Sequence, residues 1–72
     1  MTLDEKIEFI EKVLHAPEYS LQEDTELITL EGWESLNILN LEMELIARGI
    51  TVEQSEIMKC STVGEVCSLM DN

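Results

Sequence analysis

The chain has 72 residues, which allows a single domain, residues 1–72, with a thin core, since a chain of this size buries only about 60% of its unfolded surface. Four Lys and Arg stand against sixteen Asp and Glu, a formal charge of −12 that repels nucleic acid and anionic membrane surfaces and favours basic protein partners. With 44% apolar residues the sequence is too aliphatic for an acidic disordered tail. No run reaches the roughly 18 apolar residues of a membrane span. The opening Met1-Thr2-Leu3-Asp4-Glu5 lacks the basic start of a signal peptide, so the expected location is the cytoplasm.

Leu3, Ile7, Ile10 and Leu14, with Val13 beside them, recur at helical spacing and predict a first helix with those residues on its buried face. Thr2-x-x-Glu5 is a capping box that opens it, and Pro17 is expected to close it. His15 stands near that end, where a cation suits the helix dipole, and carries no catalytic role. Residues 18–34 hold spaced aliphatics, Leu21, Leu27 and Leu30, and then Trp33, without a sustained period. They predict a long loop pinned to the core by those side chains, and a loop of that length tends to be functional.

A second helix is predicted over residues 35–48, stopped by Gly49 in a left-handed turn. Its apolar residues outnumber what one face can bury, so some of Leu36, Leu39 and Met43 must face outward, while the inward member among Leu41, Met43 and Ile46 is left open. Residues 52–58 predict one or two helical turns. Thr62-x-x-Glu65 then opens a last helix with Val63, Val66, Cys67 and Met70 on one buried face. The fold class expected is all-α, a small four-helix bundle with a long loop between helices one and two.

The chemistry available to such a chain is limited. Cys60 and Cys67 are too few for a disulfide scaffold, would lie about 10 Å apart on one helix, and are expected to be small buried hydrophobes. One histidine and no Cys-x-x-Cys spacing give no zinc site. A calcium loop starting at Asp24 fails because Thr29 stands where the sharp turn needs Gly. No nucleophile and base pair is present, so no catalytic residue, no metal site and no enzymatic activity are expected. Ser35 is the residue of interest. A serine at the head of an apolar helix is, by itself, an N-cap worth about 1 kcal/mol. Alternatively, its hydroxyl carries a cargo.

The order Leu21, Asp24-Thr25, Leu27, Leu30, Trp33-Glu34-Ser35-Leu36, then a helix, Gly49-Ile50 and Thr62-Val63-Gly64-Glu65-Val66 resembles the acyl carrier proteins, especially the polyketide-type and discrete forms. The resemblance covers almost the whole chain. It implies the four-helix fold of that family and phosphopantetheine, transferred from coenzyme A by a phosphopantetheinyl transferase, on Ser35. It further implies that acyl or aminoacyl groups ride the arm as thioesters. Loading enzymes and downstream biosynthetic enzymes with basic surfaces would dock on Leu36, Leu39 and Met43, ringed by Glu31, Glu34, Glu42 and Glu44. Such a transient carrier is expected to be monomeric. The chain departs from the family in Glu34, where Asp is usual, in Glu42, where an apolar core residue is common, and in a stretch from Ser35 to Gly49-Ile50 about one residue shorter. The alternative is a carrier-like domain that is never modified and serves as an acidic docking module. Trp33 is expected to be a loop anchor, and acidic runs such as Glu23-Asp24 to be solvated surface.

Overall fold

The computed structural model describes residues 1–71. Helix α1 spans Leu3–Leu14. Its capping box forms as expected: the Glu5 N–H donates to Thr2 Oγ1 at 3.2 Å and the Thr2 N–H to Glu5 Oε1 at 2.7 Å. Bonds from the Thr2 backbone and then its hydroxyl favour the ionised form and hold the Glu5 carboxyl below its ordinary value. The helix ends before Pro17 can act. His15 turns left-handed at φ 58°, the His15 N–H reaches Lys12 O at 3.3 Å, and the Ala16 N–H closes onto Glu11 O at 2.8 Å. His15, expected as a helix-end cation, is the residue whose backbone turns the chain.

The buried face of α1 is rotated from the expected one. Ile10 and Leu14 are buried, Phe9 joins them, Ile7 and Val13 are half-buried, and Leu3 is exposed. Two charged residues occupy core-facing places. Lys6 pairs with Asp71 just beyond the last helix, and Glu11 Oε2 accepts the Leu21 N–H at 3.1 Å. Each burial is tolerable because a partner replaces the lost water.

The segment between α1 and α2 is more ordered than its lack of period implies. Leu27–Thr29 forms a 3-10 turn. The Leu27 N–H donates to Ser61 O at 2.9 Å, the Val63 N–H to Thr25 O at 3.0 Å and the Gly64 N–H to Glu23 O at 2.8 Å, around one isolated antiparallel bridge, Glu26–Thr62. The loop is therefore stitched along the start of the last helix. Leu21 and Leu27 are buried, and Leu30 and Trp33 pack half-buried on the core, as the sequence predicts.

Helix α2 spans Ser35–Ala47 and stops where expected: Gly49 is left-handed at φ 84°, and the Ile50 N–H closes onto Leu45 O at 2.9 Å. Ile38, Leu41 and Leu45 face inward, which resolves the open choice in favour of Leu41, with Met43 and Ile46 outside. Helix α3, Gln54–Met58, is too short to be stable alone. It is held by fully buried Ile57 and by Glu42 Oε2, which accepts the Gln54 N–H at 3.1 Å. Helix α4 spans Val63–Leu69, opened by the Thr62–Glu65 capping box, and buries Val63, Val66 and Cys67 as predicted, with Met70 buried at its C-cap. Cys60 lies between α3 and α4 and is only half-buried, so the two free cysteines do not share a helix.

Packing runs α1 on α2 and α4, and α2 on α3. Among the described residues the elements are thus four α-helices and one 3-10 turn, with no strand, and no helix is long and apolar enough to cross a membrane.

Candidate functional site

The start of α2 is fixed by a tight turn rather than by a side-chain cap. The Trp33 N–H donates to Leu30 O at 3.1 Å, and Gly32 O accepts both the Glu34 N–H and Asn37 Nδ2, each at 2.9 Å. Asn37 is buried at 7% exposure, so its amide locks the helix to the turn from inside. Gly32 lies so close to the end of α1 that a Cβ there would overlap the Leu14 carbonyl. The turn is therefore seated on α1, and glycine is required for the fit rather than for an unusual φ.

On this base Glu34 is the N-cap residue, with no side-chain cap bond, and Ser35 is the first helical residue. Ser35 is exposed, and its hydroxyl has no hydrogen-bond partner among the described residues. The N-cap reading of Ser35 thus gives way. What remains is a free hydroxyl beside helix-start N–H groups that no side chain satisfies, at the positive end of the dipole, with no acidic residue in the first turn. Those N–H groups and the dipole favour an anion on that oxygen locally, against the field of the surrounding carboxylates.

Around Ser35 the docking candidates fall into two groups. Leu36, Leu39 and Met43 are exposed at 63%, 40% and 61%, and Ile46, which the sequence left unassigned, continues the row at 55%. Glu31, Glu34 and Glu44 are exposed. Glu42 is half-buried, and its carboxylate is committed to the first turn of α3. Residues 13–47 carry eight carboxylates and no Lys or Arg, so the potential around Ser35 is strongly negative.

Trp33 packs on the core and also lines an open groove of about 500 Å³ with Leu27, Ile28, Met58 and Cys60. Ile28 and Met58 stand exposed on its rim. Burial, reinforced by the carboxylates of Glu65 and Glu56, pushes the Cys60 thiol up, and burial does the same to Cys67. Both are therefore protonated, weak nucleophiles near neutral pH. Among the described residues no cluster of three or more His, Cys, Asp or Glu could hold a metal ion. Gly32 and Asn37, which fix the start of α2 at the candidate site, are positions that the sequence reading missed. The only local signal was a glycine before the tryptophan and a polar residue inside an apolar helix start. Compared with protein-family models, curated proteins and solved structures, the chain matches none.

Proposed function

We propose that this chain is a carrier domain of acyl-carrier type, in which Ser35 holds a phosphopantetheine arm and the protein presents thioester-bound intermediates to enzymes with basic docking surfaces. The observation that supports it best is the free, exposed Ser35 hydroxyl on the first residue of α2, held in place by the Gly32–Asn37 lock and spared from any capping duty. A residue that served only to start the helix would have its oxygen on a backbone N–H, as Thr2 and Thr62 do. When bound, the arm supplies a terminal thiol that carries acyl groups. The chain's own residues position the attachment oxygen, offer unpaired N–H groups to the phosphodiester, and display Leu36, Leu39 and Met43 within an acidic field. The apolar groove beside Trp33, two residues from Ser35, offers walls for a short acyl chain. The protein performs no chemistry itself, and any proton removal from Ser35 falls to the modifying transferase.

Intact mass after incubation with coenzyme A, magnesium and a broad-specificity phosphopantetheinyl transferase tests this reading. A gain of one phosphopantetheine in the native chain, absent in Ser35→Ala, is the expected result. No gain with several such transferases would leave Glu34, one methylene longer than the family's usual Asp, as the block to modification. It would also favour the unmodified docking module.

A further inference from the structure

Cations are scarce in this chain, and their placement is uneven. Of its four Lys and Arg and one His, Lys6 is committed to Asp71 and Lys59 caps the end of α3, whereas Lys12, Arg48 and His15 line one open groove between α1 and the C-terminal part of α2. The groove holds about 520 Å³, within the range of roughly 300–1,000 Å³ usual for small-molecule sites. Half-buried Val13 and exposed Met43 form its apolar walls, and Phe9 lies buried beneath Arg48. We infer that this groove binds a small organic monoanion with an apolar body, such as a medium-chain carboxylate, with its head on Arg48 and Lys12 and its chain over Val13 and Met43.

The donors suit a carboxylate head. Arg48 stacks at 4.4 Å over the Phe9 ring, which fixes its guanidinium plane while leaving the in-plane N–H donors free. Among the described residues Arg48 makes no ion pair, and a guanidinium fork is the side chain best matched to a carboxylate. Lys12 reaches Glu8 at 3.3 Å in an exposed contact, weak enough to be exchanged for a ligand. Glu44 is the one carboxylate in the lining among the described residues, so Lys12 and Arg48 leave the groove positive inside a strongly negative molecule.

That contrast also sets the charge and size of the occupant. The body, at −12, repels every added negative charge, although a Debye length of about 8 Å at 0.15 M salt screens the more distant carboxylates. A single anionic head meets two cations at contact distance. An acidic protein segment would extend over exposed Glu5, Glu8 and Glu44 around the same cations and be repelled. The unmodified chain suffices for binding, so the inference stands or falls apart from the carrier reading.

Titration of the isotope-labelled native chain with octanoate, below its micellar concentration and in 0.15 M sodium chloride, tests the inference through backbone amide NMR shifts. The shifts should saturate with a dissociation constant on the order of 1 mM, as expected for about ten ligand atoms in an open groove, and should centre on residues 12–15 and 40–48. Acetate, which lacks the body, and octylammonium, which has the opposite charge, should not produce them. Arg48→Gln and Lys12→Gln, each with helix content verified by circular dichroism, should weaken octanoate binding about fivefold. Shifts centred on the groove at Trp33 or on the outer row of α2, an equal response to octylammonium, or native affinity in both variants would each overturn it. An absence of saturable shifts would also overturn it, leaving the three basic side chains as partners of the helix ends alone.

Discussion

Ser35 and Thr62 differ by one step in register, and that step separates two roles for a hydroxyl at a helix start. Thr62 precedes α4 and its Oγ1 accepts the Glu65 N–H at 3.2 Å, satisfying a donor that the helix leaves open. Ser35 already has helical backbone, and its oxygen satisfies nothing within the described chain. Removing the two hydroxyls should therefore have unequal effects. Thr62→Ala is expected to cost about 1 kcal/mol. Ser35→Ala should change stability by no more than about 0.5 kcal/mol, as for an exposed site with no specific role in the fold. Urea unfolding followed by circular dichroism checks both. An equal loss in the two variants would make Ser35 a structural residue and remove the argument that its hydroxyl is kept for another purpose.

Besides the apolar core and the backbone bonds of the long loop, two carboxylates join elements by accepting backbone N–H groups across loops. Glu11 on α1 holds the Leu21 N–H, and Glu42 on α2 holds the Gln54 N–H at the start of α3. The first is buried, so Glu11→Ala strands a donor where water cannot easily replace the acceptor, and the expected cost is about 2 kcal/mol. Glu11→Gln keeps an acceptor oxygen and should recover most of it. Hydrogen exchange at the Leu21 amide reads the effect locally, with fast exchange in the alanine variant and near-native protection in the glutamine one. These links also mark where the sequence stops being legible. Thr2 with Glu5, and Thr62 with Glu65, are three residues apart, so their capping boxes could be read from spacing alone. The left-handed stop at Gly49 was equally local. Glu11 with Leu21 and Lys6 with Asp71 depend on how distant segments fold back, and the two charges flank the apolar row that periodicity picks out on α1. The same limit applies at the site. The exposed row of Leu36, Leu39 and Met43 followed from counting apolar residues on α2, whereas the commitment of Glu42 to α3 depended on where that short helix lands.

For the molecule as a whole, the dominant electrostatic fact is self-repulsion. Sixteen carboxylates surround a body of 26 × 26 × 18 Å that has only four Lys and Arg. Of those four, buried Lys6 is committed to the exposed Asp71, and Lys12 reaches Glu8 at 3.3 Å on an open helix face. An exposed pair of the second kind contributes about 0–1 kcal/mol and is itself screened by salt, so it cannot offset the excess. Repulsion across the body acts over distances longer than the Debye length of about 10 Å at 0.1 M salt, and is largely removed at that concentration. The unfolded chain, being expanded, suffers less from its own charge and gains less from screening. Salt should therefore stabilise the fold. Between about 0.01 M and about 0.2 M sodium chloride the thermal midpoint should rise by several degrees and then flatten, given about 4–8 °C per kcal/mol for a domain of this size. The measurement belongs at micromolar protein. A midpoint that falls with salt would mean that the few ion pairs, Lys6–Asp71 foremost, outweigh the repulsion of the remaining charge.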